Sequence, residues 1–244
     1  MIIHSIVIKH LFCYGNFMVP VPKQSNCIRC GTCCKKGGPS FHLEDKHLIE
    51  KGIVLSKYIY TIREGEPVFD NVKGRLLTAT TDIIKIKGGK HSWTCIFFDE
   101  DDTNCKIYKN RPIECRALKC WDTEELEKIY SKNRLTRKDL LSKIKGLWNL
   151  IEDHQARCSY KKIKGFVSKL NTDKKNKAVE GILDIIKYDI HLRPLLAEKA
   201  GINPDMVDFL FGRPLTETIK MYNLQVKHKD DRYYLKSLDM SSKL

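Results

Sequence analysis

Eight of the ten cysteines in this 244-residue chain fall into an ordered set. Four stand as Cys27-x-x-Cys30-x-x-Cys33-Cys34, and four more follow at Cys95, Cys105, Cys115 and Cys120. A C-x2-C unit turns the backbone so that two sulfurs face one ion, and zinc takes four thiolates at about 2.3 Å. Three cysteines spaced C-x2-C-x2-C can instead hold three irons of a cubane, with the fourth ligand coming from a distant residue. Adjacent Cys33 and Cys34 cannot easily aim at one ion, so the doublet suggests two neighbouring metals or one larger cluster. Cys27, Cys30, Cys33, Cys34, Cys95, Cys105, Cys115 and Cys120 are therefore the candidate metal ligands. Cys13 and Cys158 stand apart without ligand spacing and read as ordinary buried thiols.

Cations crowd the set: Arg29, Lys35, Lys36, Arg116 and Lys119. Positive neighbours favour the thiolate, the form that binds metal. A tetrathiolate around a divalent ion carries a net charge of −2, which these cations would offset. Arg111 and Arg116 flank Cys115. They can support the cluster, pair with Glu114 or another acid, or face an anionic substrate. Tyr108 reads as a packed strand aromatic, with a place beside the cluster or substrate as the alternative. No catalytic residue is identifiable. The chain contains no Walker loop, G-x-G-x-x-G fingerprint, H-E-x-x-H helix or G-x-S-x-G elbow, so common nucleotide and hydrolase chemistries lack support.

The formal charge is +14, unevenly spread. Residues 1–121 and 122–177 each carry +7, and residues 178–244 carry none. The basic residues are 33 Lys and 11 Arg. Readers of nucleic acid favour the Arg fork, so this Lys-rich balance reads first as a solvated surface. No apolar run reaches the roughly 18 residues of a membrane span. Apolar residues at 42% and charged residues at 30% describe a folding chain rather than a disordered one. The first residues, MIIHSIVIKHLFCYGNF, resemble a signal peptide poorly, because Lys9 and His10 interrupt the apolar run and Phe17-Met18-Val19 is no small-residue cleavage site. Residues 1–20 read as an extra segment, with Met18 as an alternative start. Without a signal, the expected setting is a reducing cytoplasm, where clustered cysteines indicate metal binding or redox chemistry.

The run Cys27-Ile28-Arg29-Cys30-Gly31-Thr32-Cys33-Cys34 resembles the signature of the CxxCxxCC, or YkgJ-like, cysteine-cluster family. The same holds for Thr94-Cys95-Ile96-Phe97-Phe98-Asp99, Cys105-Lys106-Ile107-Tyr108 and Arg111-Pro112-Ile113-Glu114-Cys115-Arg116. The resemblance covers roughly Asn26 to Cys120. It implies a zinc- or iron-chelating domain with eight cysteine ligands and no single settled reaction. Flagellin lysine N-methylases resemble this domain and are associated with an iron–sulfur cluster. Three functions follow: a cytosolic protein holding zinc or an iron–sulfur cluster, an iron–sulfur-dependent methyl-transferring enzyme, or a zinc-stabilised module for nucleic acid or protein. Its partners are then the metal, with a protein partner or substrate next and no membrane.

The elements that must position the cysteines are an α+β set. The spacing predicts a helix over Phe41–Lys51, a strand over Thr81–Lys87, a turn at Gly88-Gly89-Lys90 and a strand over Ser92–Phe98. Asp99–Thr103 reads as a solvated acidic turn into a third strand through Cys105 and Tyr108, which brings Cys95 and Cys105 together. Helices follow at Thr123–Asn133 and Thr136–Cys158, the latter capped by Thr136 with Asp139 in its first turn. Asn171–Lys177 reads as a linker and Ala178–Leu192 as a helix. Short helices at Leu195–Ala200, Asp205–Phe211 and Leu215–Tyr222 are divided by Pro194, Gly201, Pro204 and Pro214. The expected organisation is a 1–20 segment, a 21–121 metal-binding domain with a β-hairpin core, and a 122–244 helical extension packed on it. Residues Ser237–Leu244 read as a frayed end.

Overall fold

The computed structural model describes residues 27–89 and 92–238, so Cys13 and the 1–20 segment lie outside the described residues. After a short helix α1 (Lys46–Glu50), strand β1 (Ile59–Ile62) pairs antiparallel with β4 (Ile83–Ile86), with Ile59 opposite Ile86 and Tyr60 opposite Lys85. Period-two alternation puts Ile59, Thr61, Ile84 and Ile86 on the buried face and Tyr60 and Lys85 on the other. Between these strands, β2 (Pro67–Asp70) and β3 (Arg75–Thr78) form a hairpin. Its turn is closed by Asp70 Oδ1, which accepts from the N–H groups of Val72 and Lys73, both at 2.9 Å.

The cysteine-bearing hairpin is short: β5 (Phe98–Asp99) pairs with β6 (Asn104–Cys105). The expected strand over Ser92–Phe98 does not form as such. Its amides are spent on loops instead: Cys95 N–H donates to Cys34 O, Ile96 N–H to Lys87 O and Phe98 N–H to Cys95 O. Within that stretch, Cys95 makes an isolated bridge with Gly88. Tyr108 belongs to a 3-10 turn rather than to the third strand. The acidic turn is a solvated loop, where Asp99 Oδ1 accepts from Asp101 and Asp102 N–H. Helix α2 (Ile113–Ala117) carries Cys115.

The remainder is mainly helical: α3 (Glu124–Ile129), α4 (Arg137–Leu141), α5 (Lys145–Arg157), α6 (Tyr160–Val167), α7 (Lys175–Ala200), α8 (Val207–Phe211) and α9 (Leu215–Thr218). Strands β7 (Leu224–Lys229) and β8 (Arg232–Ser237) close the described chain as a hairpin, turned by Asp230 and Asp231 at positive φ. The fold is α+β. Thr136 caps α4 in a box with Asp139, as read from the sequence. The single helix expected over Thr136–Cys158 breaks between α4 and α5, where Ile144 leaves helical geometry and Gly146 weakens the following turn. Conversely, α7 runs through Pro194. Arg193 staples that stretch by donating to Asp189 Oδ2 at 3.0 Å and to Gly212 O at 3.0 Å, which offsets the amide bond that proline removes.

One core gathers Phe41, Ile59, Ile84, Ile86 and Phe97 with Leu135, Ile151, Leu196 and Phe209–Phe211. A second gathers Tyr160, Ile163, Ile182, Ile186, Leu215 and Leu224. Polar ties cross between the halves. Arg137 forks onto Asp82 at 2.7 and 2.9 Å and donates to Leu210 O at 2.7 Å, and Thr61 Oγ1 donates to Phe209 O at 2.6 Å.

Candidate metal centre

The loop Cys27–Gly31 bends through two left-handed residues, Arg29 (φ 57°) and Gly31 (φ 74°). This bend turns the Arg29 N–H onto Cys27 Sγ, at 3.4 Å. Glycine is required at position 31: a Cβ there would stand 2.6 and 2.8 Å from the ring atoms Cε1 and Cε2 of Phe98, and nearer still to Cζ. The loop therefore rests on the hairpin that carries Cys105, which pairs opposite Phe98. Cys34 begins a 3-10 turn, and its carbonyl accepts from Cys95 N–H at 2.8 Å.

Cys115 is placed by two carboxylates. Asp45, fully buried, accepts from Ile113 N–H at 2.9 Å through Oδ1 and from His42 N–H at 3.1 Å through Oδ2, fixing the start of α2. Glu114 accepts from Ser40 N–H at 2.6 Å, and its other oxygen meets His42 Nε2 at 3.1 Å and Arg134 at 3.7 Å. Burial works against the Glu114 charge, but His42, Lys85 and these bonds outweigh it and hold its pKa below the ordinary value. Arg116 approaches Asp45, at 3.9 Å, rather than Glu114. Arg111 donates to Tyr108 O at 3.0 Å and lays its guanidinium 3.7 Å from the Tyr108 ring centre, and Arg29 lies 4.2 Å from the same ring. Tyr108 is thus a stacking platform for two of the basic residues.

All eight cysteines of the motif carry free thiols and line one open cleft of about 1230 Å³. Cys27, Cys30 and Cys120 are exposed, Cys33, Cys34, Cys105 and Cys115 are half-buried, and Cys95 is buried. Cys33 is lowered to about 6 by the neighbouring Cys34 thiol, with a smaller contribution from Cys120, while Cys34 is raised because it holds the shared proton. The Thr32 hydroxyl lowers Cys30. Burial raises Cys95, Cys115 and Cys120, and the neighbouring sulfurs add to it. So many thiols cannot ionise together unless a cation enters, and a bound metal reverses that balance. The donor set, all thiol with an amide already aimed at Cys27, fits a thiophilic metal.

Among the described residues, the only three His, Cys or carboxylate ligand atoms that all lie within 4.8 Å of one another are those of His154, Cys158 and Asp189. The motif cysteines thus face a shared space rather than closing on a point. Cys158 is a buried thiol, pushed up to about 12 by burial, yet it has company that sequence reading missed. Asp189 belongs to α7, distant from Cys158 along the chain. Its oxygens already accept from His154 at 2.7 Å, Arg193 at 3.0 Å and Leu215 N–H at 2.9 Å. Burial opposes that carboxylate's charge, but these bonds hold it at about 2. Burial also keeps His154 neutral, at about 4. A metal there would compete with Arg193 for a satisfied carboxylate, so this triad is a buried latch between α5 and α7.

Sequence reading also missed Asp45, His42 and Lys85. Asp45 lies within the stretch expected as a helix over Phe41–Lys51, and only the fold turns it toward α2. Lys85 lines the cleft floor, where its Nζ donates to Ser40 Oγ at 3.3 Å and pairs with no described carboxylate.

Residues 26–136 match the model of the CxxCxxCC family, described as "Putative zinc- or iron-chelating domain". Comparison with the curated proteins and with the solved structures returned no match.

Proposed function

We propose, on that family match, that the chain holds zinc or an iron–sulfur cluster through Cys27, Cys30, Cys33, Cys34, Cys95, Cys105, Cys115 and Cys120. One observation carries the reading: eight free thiols from three separate stretches of chain line a single cleft. The amide directed at Cys27 Sγ supports it. Loaded, the site would supply either a rigid tetrathiolate cross-link or a redox-active iron centre. Tyr108, Arg111 and Arg29 would then stand beside it as a stacked cationic group, with Arg116 tied to the Asp45 anchor.

The cleft extends beyond the cysteines to Lys85, Tyr130, Arg134 and Arg213. That room favours, as second reading, an iron–sulfur enzyme acting on a protein or smaller substrate, as in methyl transfer. A zinc-stabilised interaction module would need no such cleft. The free thiols favour a reducing compartment such as the cytoplasm. No described helix is long and apolar enough to cross a membrane.

Metal analysis and an optical spectrum of anaerobically purified protein test this. Brown protein with broad visible absorption and stoichiometric iron supports the cluster. Colourless protein with stoichiometric zinc supports the structural site. Protein that carries neither metal and takes up neither after reduction overturns the reading.

A further inference from the structure

The cleft runs on past the cysteines, and its floor there is a small array of polar side chains. Ser40, Lys85 and Tyr60 stand abreast, because Ser40 bridges to Lys85 and Lys85 lies opposite Tyr60 in the β1–β4 ladder. Residues opposed in this way put their side chains on one face. Two residues along on that face, His42 bridges to Arg134, and Ile83 lies opposite Ile62. All of these but His42 line the cleft. The charges of the array do not balance. Its one acid, Glu114, already takes the Ser40 amide at 2.6 Å and meets His42 Nε2 at 3.1 Å, while His42 Nδ1 meets Lys132 O at 2.7 Å. Arg134 Nη1 stands 3.7 Å from Glu114, past hydrogen-bond reach, and is buried without a partner, on a side chain only 13% exposed. Lys85 Nζ has the neutral Ser40 hydroxyl, at 3.3 Å. The other acids that line the cleft are engaged elsewhere: Asp70 closes its hairpin turn, Asp208 pairs with Lys87 and Arg193, and Glu217 pairs with Lys220.

We propose that this end of the cleft, Lys85 and Arg134 with Tyr60 on the same face, is a subsite for an oxyanion, the carboxylate or phosphate of a small ligand. This deepens the second reading, in which the cleft takes a substrate, by naming the substrate's charged group. A buried donor without an acceptor is rare and costly, and an ammonium bonded to a neutral hydroxyl leaves its charge unanswered. An oxyanion lodged here would receive charge-assisted hydrogen bonds from both cations, with geometry that a guanidinium fork suits best. Ile62 and Ile83 continue the floor as an apolar strip, which fits a ligand whose body beyond the anion is apolar. The recognising groups are an ammonium, a guanidinium and a phenol rather than thiols, so the subsite does not depend on which metal the cysteines hold.

Isothermal titration calorimetry of the full chain as purified tests this, with inorganic phosphate and with butyrate as probes at constant ionic strength, and with the metal content of the same sample measured. At least one anion should bind saturably at one equivalent, and which one binds tells phosphate from carboxylate. Arg134→Gln should weaken that binding at least tenfold and Tyr60→Phe by a smaller factor. Lys227→Gln removes the same charge from an exposed position on β7 and should leave binding unchanged. Should Arg134→Gln lose its helical circular dichroism, Lys85→Gln carries the same expectation. Absence of saturable binding for both anions overturns the subsite, as does a loss in Lys227→Gln equal to that in Arg134→Gln. Metal-loaded protein that binds neither anion refutes the subsite and leaves the metal reading standing. Protein that takes up no metal yet binds an anion through Arg134 does the reverse.

Discussion

Gly31→Ala probes how the cysteine loop is seated. Position 31 has φ 74°, a region that costs an alanine about 1 kcal/mol relative to glycine. The added Cβ would also stand 2.6 and 2.8 Å from two Phe98 ring atoms, inside contact distance, and Phe98 is itself buried at 8% exposure. Forcing a methyl into packed surroundings costs about 1–3 kcal/mol. The expected loss is therefore about 2–4 kcal/mol. Gly74→Ala supplies the control, since position 74 has φ 62° and nothing within 4 Å of a built Cβ. It should lose only the backbone share, about 1 kcal/mol. Urea unfolding of both variants, read by tryptophan fluorescence with m-values compared, separates the two contributions. Because Phe98 sits opposite Cys105, Gly31→Ala should also weaken zinc binding, whereas Gly74→Ala should not. Equal destabilisation of the two variants would refute the claim that the loop is clamped on Phe98.

Other outcomes follow from the same geometry. Asp45→Ala strips the buried His42 amide and the half-buried Ile113 amide of their acceptor and should cost about 2–4 kcal/mol in urea unfolding, with weaker metal binding through a loosened α2; unaltered binding would show that α2 is held by other contacts. Lys85→Met should lower zinc affinity about tenfold in competition with a chelator, and Lys85→Arg should restore most of it, because the charge rather than the shape is what counts; a Met variant that binds as well as wild type would remove Lys85 from the site. His154 has a folded value of about 4 against its usual 6.5. Between these values the unfolded chain binds more protons, so stability rises with pH and should fall by about 3 kcal/mol as metal-free protein is taken from pH 6.5 to 4. His154→Gln should flatten that slope, and parallel slopes for the two proteins would exclude His154 as its source.

The candidate cysteines were legible because their signal is local: spacings of two and three residues are printed in the chain. The Thr136–Asp139 cap was legible for the same reason. Strands β1 to β3 were not, since each is four residues long and β1 finds its partner only after an intervening hairpin. Pro194 was read as a divider because local rules see the lost amide and not the Arg193 bonds that hold α7 together across it. The strand expected through Cys95 yielded to tertiary demand, as its amides serve the Cys34 carbonyl and the Lys87 carbonyl. Asp45 and Glu114 could be named as acids from the chain, but what they anchor depends on residues such as Ile113, His42 and Arg134 that only folding brings near.

The main core has a consequence for portability. The family match ends at residue 136, yet Phe41, Ile59 and Ile84 rest on Ile151, Leu196 and Phe209–Phe211, all beyond that point. A graft of residues 26–136 onto another protein would arrive with its floor missing, and Thr61 and Asp82 would lose the partners that Phe209 and Arg137 provide. Chelation would have to do alone what packing now shares. In this chain the cysteine module is upholstered by its own C-terminal helices, so transplanting it calls for carrying α5 and α8 along or designing a substitute apolar cushion beneath β1 and β4.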